Sequence, residues 1–118
     1  MIVFNIRKIG NWKIIDDSLF ASTMEYKLND SKYYLTVHKM KDTGKYNFYV
    51  EDDLNWLRTY SMKLSDKNSL NKALNDFAKA YETAIEDCKS LYDLHNYIRY
   101  FYITKYGKNT KAKNDDSI

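Results

Sequence analysis

Apolar and polar residues alternate with period two through the first two thirds of the chain, the pattern of strands with one buried face. In MEYKL, the set Met24, Tyr26 and Leu28 points one way and Glu25 and Lys27 the other. KYYLTVHKM, KDTG and KYNFYVED follow and read as a hairpin. Its loop, Lys41 to Gly44, uses Gly44 as the left-handed residue of a bulged turn, which sets Val37 opposite Phe48 and Leu35 opposite Val50. RTYSMKL gives another strand, with Tyr60, Met62 and Leu64 inward and Thr59, Ser61 and Lys63 outward. MIVFNIRKI and NWKII, on either side of Gly10-Asn11, form a further hairpin, and the pattern is weakest from Asp16 to Thr23.

From Ser65 the period becomes helical, with Ser65 or Asp66 as N-cap. Leu70, Leu74, Phe77, Tyr81, Ala84, Cys88 and Leu91 recur at spacings of three and four, while Lys72, Asp76, Lys79, Thr83 and Glu86 occupy the side expected in water. A capping box at Ser90 to Asp93 predicts a break, after which a second helix runs to Gly107. Leu91, Leu94, Ile98, Phe101 and Tyr102 make the stripe that docks it, and Tyr92, Tyr97, Tyr100 and Ile103 fall outside that stripe. These four either pack against the N-terminal hairpin or meet another chain, a second copy being the simplest case. Residues 95–106 also alternate in a way that a strand would satisfy.

The fold class expected is α+β: an antiparallel meander of four to six strands packed by one long helix, then a second, aromatic-rich helix. A chain of 118 residues suits one domain, expected over 1–106, with 107–118 a basic, disordered tail. The net charge is +3, and Lys105 to Ile118 carries four lysines against Asp115 and Asp116, so the rest of the chain is near neutral. One cysteine excludes an internal disulfide and suits a reducing cytoplasm. No stretch has the length of a membrane span or the form of a signal segment. Heavy use of Asn, Lys, Tyr and Ile without proline has the flavour of a low-GC bacterium, or of a phage or mobile element within one.

Candidate chemistry is sparse. His38 lies on the solvent face of a strand and His95 at a helix edge, with no nucleophile, base or ligand at a useful spacing. Cys88 reads as a small core residue. Glu51, Asp52 and Asp53, with Asp16 and Asp17, are the sole acidic grouping that resembles a cation site, and a solvated loop is the simpler reading. The three glycines stand singly, so no phosphate-cradling loop exists. No cofactor, metal or catalytic residue is expected.

Two surfaces remain. Tyr92, Tyr97, Tyr100 and Ile103 form a protein interface if nothing in the chain covers them. Tyr34 and Tyr49, diagonal neighbours on the open sheet face with Lys27, Lys63 and His38 nearby, suit weak contact with single-stranded nucleic acid. Glu25 and Glu51 share that face, and arginine is scarce, which weakens the phosphate term.

GKYNFYVEDDL followed, after a gap, by NSLNKALNDFAKAYETAI resembles the layout of HicB-type antitoxins: a hairpin strand, an acidic-leucine loop, then a helix introduced by a small polar residue. The resemblance covers about a third of the chain and implies an antitoxin-like neutralising protein. Here no proline or glycine follows Asp53-Leu54, an extra strand precedes the helix, and a tyrosine-rich helix stands where that family often continues to a DNA-binding domain. The expectation is a non-enzymatic protein that occupies the surface of a host protein. An inhibitor of a bacterial defence nuclease, an anti-CRISPR protein, is its concrete form, and a homodimer and no membrane contact complete the expected partners.

Overall fold

The structure, a computed structural model, describes residues 8–9, 12–17, 21–28 and 30–107. Its strands are β1 (Lys8–Ile9), β2 (Trp12–Asp17), β3 (Ala21–Tyr26), β4 (Tyr34–Met40), β5 (Lys45–Glu51) and β6 (Trp56–Lys63), followed by α1 (Lys67–Ala84) and α2 (Leu91–Tyr106). The strands pair in chain order, each antiparallel to the last, so β2 to β6 form a meander and the two-residue β1 adds to one edge. The α+β architecture is the one that the change of period implies.

Hairpin β4–β5 takes the expected register, Val37 opposite Phe48 and Leu35 opposite Val50. Gly44 has φ +71°, and its N–H donates to the Met40 carbonyl at 2.8 Å. A Cβ there would meet nothing within 4 Å, so the preference for glycine comes from the dihedral alone. Asp66 caps α1 by accepting from the Ser69 N–H at 2.8 Å. Ser90 caps α2 by accepting from Asp93 N–H at 3.2 Å, and the Asp93 carboxylate reaches back to the Lys89 N–H at 2.9 Å.

Both helices lie on one face of the sheet. Trp12, Met24, Leu35, Val37, Phe48, Val50, Tyr60 and Met62 meet Leu74, Phe77, Tyr81, Leu94, Ile98 and Tyr102, all buried. Phe77 sits at the junction, with ring centroids 5.9 Å from Trp12, 5.1 Å from Phe48 and 5.7 Å from Tyr102. Each such side chain contributes roughly 1.5–3 kcal/mol on burial. The two fully buried phenols are hydrogen-bonded: Tyr81 donates to the Tyr33 carbonyl at 2.6 Å and Tyr102 to the Ala73 carbonyl at 2.9 Å.

Several details depart from the sequence pattern. Residues 95–106 are helix, as the main sequence reading has it and not the strand alternative, but α2 packs over β5 and β6, at the opposite edge of the sheet from β1 and β2. The described part of the N-terminal hairpin, β1 and β2, therefore does not cover the outward side of α2. Helix α1 stops at Ala84, where the Ile85 N–H reaches Tyr81 and the Asp87 N–H makes a tighter bond back to Ala84. Cys88 thus sits in the connection at 85–90, partly buried against the core, and not on the α1 stripe. Burial, then Asp93 and Asp87, raise its thiol above the usual range.

Asp76, expected in water, lies at the seam between the helices, where it accepts from the Tyr106 hydroxyl at 2.6 Å and faces Lys105 at 3.3 Å and Lys72 at 3.7 Å. Thr59, expected outward, is fully buried. The ladder slips between Phe48 and Tyr49, with Phe48 opposite Tyr60 but Tyr49 opposite Arg58, so Thr59 is the extra residue of a bulge. Its hydroxyl donates to the Phe48 carbonyl at 3.1 Å. The expected tail beyond Gly107 and the first strand of the N-terminal hairpin, apart from Lys8–Ile9, lie outside the described residues.

Candidate binding surfaces

Helix α2 presents two chemically different sides. Leu91, Leu94, Ile98 and Tyr102 are buried, and Phe101 is packed against them. Tyr102 stacks on Tyr60 with centroids 4.9 Å apart and on Tyr106 at 5.3 Å, and the Tyr60 hydroxyl donates to the Gly107 carbonyl at 2.9 Å. The inward side is thereby fixed from the middle of the helix to its end.

On the outward side Tyr92 is 65% exposed, Tyr97 44% and Tyr100 74%. Ile103, grouped with them from the sequence, differs: it is partly buried and packs against the core. His95 lies between the two sides, with its ring 6.3 Å from Tyr92 and its Nδ1 buried without a partner. Burial, assisted by Arg99, lowers its pKa.

No described element covers the other face of the sheet. Lys13, Glu25, Thr36, Tyr49 and Arg58 form one row across β2 to β6, each directly opposite the next. Tyr34, Glu51 and Trp56 form the neighbouring row. The diagonal relation expected of Tyr34 and Tyr49 is present, and the Lys27 ammonium lies 5.6 Å from the centre of the Tyr34 ring. His38 meets Tyr49 edge-on at 5.0 Å, and Tyr49 meets Trp56 at 5.5 Å, so three rings touch in sequence across β4, β5 and β6. Thr23 Oγ1 is 3.1 Å from His38 Nδ1 and holds that ring in place. Lys63 is exposed at the far end of the face, opposite Lys45.

Electrostatics divide this face. Burial raises the Tyr34 hydroxyl above its ordinary range, with Glu51, Asp53 and Glu25 adding to the shift. Burial also raises the Tyr49 hydroxyl, but there the Arg58 guanidinium opposes it. Trp56 and Arg58 were not singled out in the sequence, because the strand read from Arg58 onward hides two earlier residues of β6 and the bulge at Thr59 interrupts the alternation that would show them. Glu51 is engaged within the sheet, accepting from the Thr36 hydroxyl.

A groove of about 420 Å³ is lined by Leu28, Ser31, Tyr33, Ile85 and Glu86, and another of about 330 Å³ by Trp12, Tyr26, Asp76 and Glu82. In the second the carboxylates are spoken for: Glu82 accepts from Tyr26, and Asp76 from Tyr106. Asp52 uses its side chain to accept from the backbone N–H groups of Leu54 and Asn55, at 2.9 and 2.8 Å, which shapes the β5–β6 turn. Asp16 and Asp17 end β2, and their side chains lie outside the described residues. Among the described residues no three of His, Cys, Asp and Glu gather as a metal-ligand group, and no helix is long and apolar enough to cross a membrane.

No family model, curated protein or solved structure matches the chain.

Proposed function

We propose that this chain is a non-enzymatic binding protein that works by docking the outward side of α2 on another protein. The observation that carries the reading is the exposure of Tyr92, Tyr97 and Tyr100 on a helix whose opposite side is locked into the core. Tyrosine offers a large, rigid, amphipathic contact at low entropic cost, and with Arg99 on the same helix the surface has the residue types that dominate interface energetics. Occupying a functional surface of a host protein is the mode of action this favours, as an inhibitor or an antitoxin-like neutraliser would. Small size, the single cysteine and the low-GC composition support a cytoplasmic, phage or mobile-element setting and an anti-CRISPR-like target.

The experiment is a paired one. Tyr97→Ala and Tyr100→Ala are surface changes, expected to alter folding stability by no more than about 0.5 kcal/mol in urea melts. Affinity capture from a low-GC bacterial lysate, with light scattering on the purified protein, should show a partner or a self-dimer that the double variant loses. A fall of several degrees in thermal midpoint with no change in capture or mass would place those rings in the fold and remove the site.

A further inference from the structure

We infer that the uncovered face of the sheet is a second binding surface, separate from α2, and that its ligand is single-stranded nucleic acid. Both helices pack on the opposite face, so no described element covers the rows of β2 to β6, in which Thr23 and Thr36 are buried beneath larger neighbours while Trp56 and Arg58 stand exposed. The face carries exposed Lys13, Lys27, Lys45, Arg58 and Lys63 against the carboxylates Glu25, Glu51 and, beside Tyr34, Asp53. One of those carboxylates, Glu51, is already hydrogen-bonded to Thr36. The surplus is cationic, which selects an anionic ligand.

Charge alone would suit any polyanion. The rings narrow the choice. His38, Tyr49 and Trp56 are in contact across three strands, and Trp56 is 65% exposed. Neighbouring strands lie about 4.8 Å apart, so the series extends over roughly 10 Å, room for two or three unpaired bases. Bases in a duplex are stacked on each other and cannot reach a flat sheet, whereas unpaired ones stack on such rings whatever their sequence. Arg58 lies across the ladder from Tyr49, where it can contact a phosphate beside a stacked base.

Trp, Tyr and Arg also anchor protein interfaces, so the surroundings decide between the two. Around the rings stand Thr36, Asn47 and Ser61, with Ser61 donating to Asn47 at 2.6 Å. A protein hot spot needs an apolar centre that excludes water, and these polar side chains do not supply one.

Fluorescence anisotropy with labelled oligo-dT, oligo-U and a duplex of equal length tests the assignment on the full chain. Both single strands are expected to bind and the duplex to bind more weakly. With about three phosphates neutralised, affinity should fall roughly twentyfold between 50 and 200 mM salt. Tyr49→Ala and Trp56→Ala should each weaken binding at least fivefold, and Arg58→Gln should lower the salt slope by about 0.7. Lys79→Gln, on the exposed side of α1, should change neither. Trp56 is largely exposed, so its variant is expected to stay folded, and circular dichroism checks this.

Three results would overturn the inference. One is no binding to either single strand at the lower salt. Another is binding that both ring variants leave intact and that vanishes when Lys108, Lys111 and Lys113 are changed to Gln. The last is a protein partner lost in Trp56→Ala with no oligonucleotide binding.

Discussion

Tyr26 and Tyr106 show what a phenol does here that a phenylalanine could not. Tyr26 donates to Glu82, and burial with that carboxylate pushes its pKa from 10.0 up to about 12. Tyr106 donates to Asp76, and burial with that carboxylate pushes its pKa higher still. Both folded values exceed the unfolded one, so between them the unfolded chain holds fewer protons than the folded chain. Their contribution to stability is full below about pH 10 and is lost as the pH rises through the folded values. Urea melts should therefore be level from about pH 7 to 9 and show falling stability above 10, with a shallower fall in the Tyr26→Phe, Tyr106→Phe double variant. Tyr26 is partly exposed, so solvent screening keeps its share the smaller. An identical pH dependence in the two proteins would show that these phenols do not take part.

At the level of elements, the capping side chains give a clean comparison. Asp66→Ala removes the oxygen that holds the Ser69 N–H and should cost about 1 kcal/mol, read as a lower urea midpoint with unchanged slope. Ser90→Ala should cost about the same, because it frees the Asp93 N–H at the start of a helix that carries much of the core. These caps were legible because Ser and Asp before a helical stripe have one physical use. The β4–β5 register was legible too, since one glycine at the turn and two matched apolar pairs determine it together. Cys88 was not, because the spacing from Ala84 to Cys88 to Leu91 stays in phase across a break that only backbone hydrogen bonds reveal. Thr59 failed for a related reason: one inserted residue reverses the alternation, and WLRTYSM has polar and apolar side chains compatible with either phase.

For the molecule as a whole, the sheet divides a packed face from an uncovered one. One face and the inward side of α2 make the core, while the other face and the outward tyrosines remain available on opposite sides. The split among the aromatic residues of α2 was readable from helical spacing, because 91, 94, 98 and 102 define a single stripe. The position of Trp56 and Arg58 on the uncovered face was not, since it depends on how far β6 extends and on which side of the bulge each residue stands. Substitutions in the two surfaces share no side chain, so their effects on stability are expected to add to within about 0.5 kcal/mol when Tyr100→Ala is combined with Trp56→Ala and measured in urea. A larger coupling would mean that the surfaces communicate through the sheet.

The bulge also bears on how the protein survives at high concentration. Strand β6 is the last of the sheet, and among the described residues its outer margin pairs with no further strand. Thr59 splits that margin into 56–58 and 60–63, and Arg99 occupies the Thr59 carbonyl at 3.4 Å. A foreign strand zipping along from either end loses its match at that point, after too few residues to hold on. A single extra threonine thus shortens the template that this margin offers to a foreign strand.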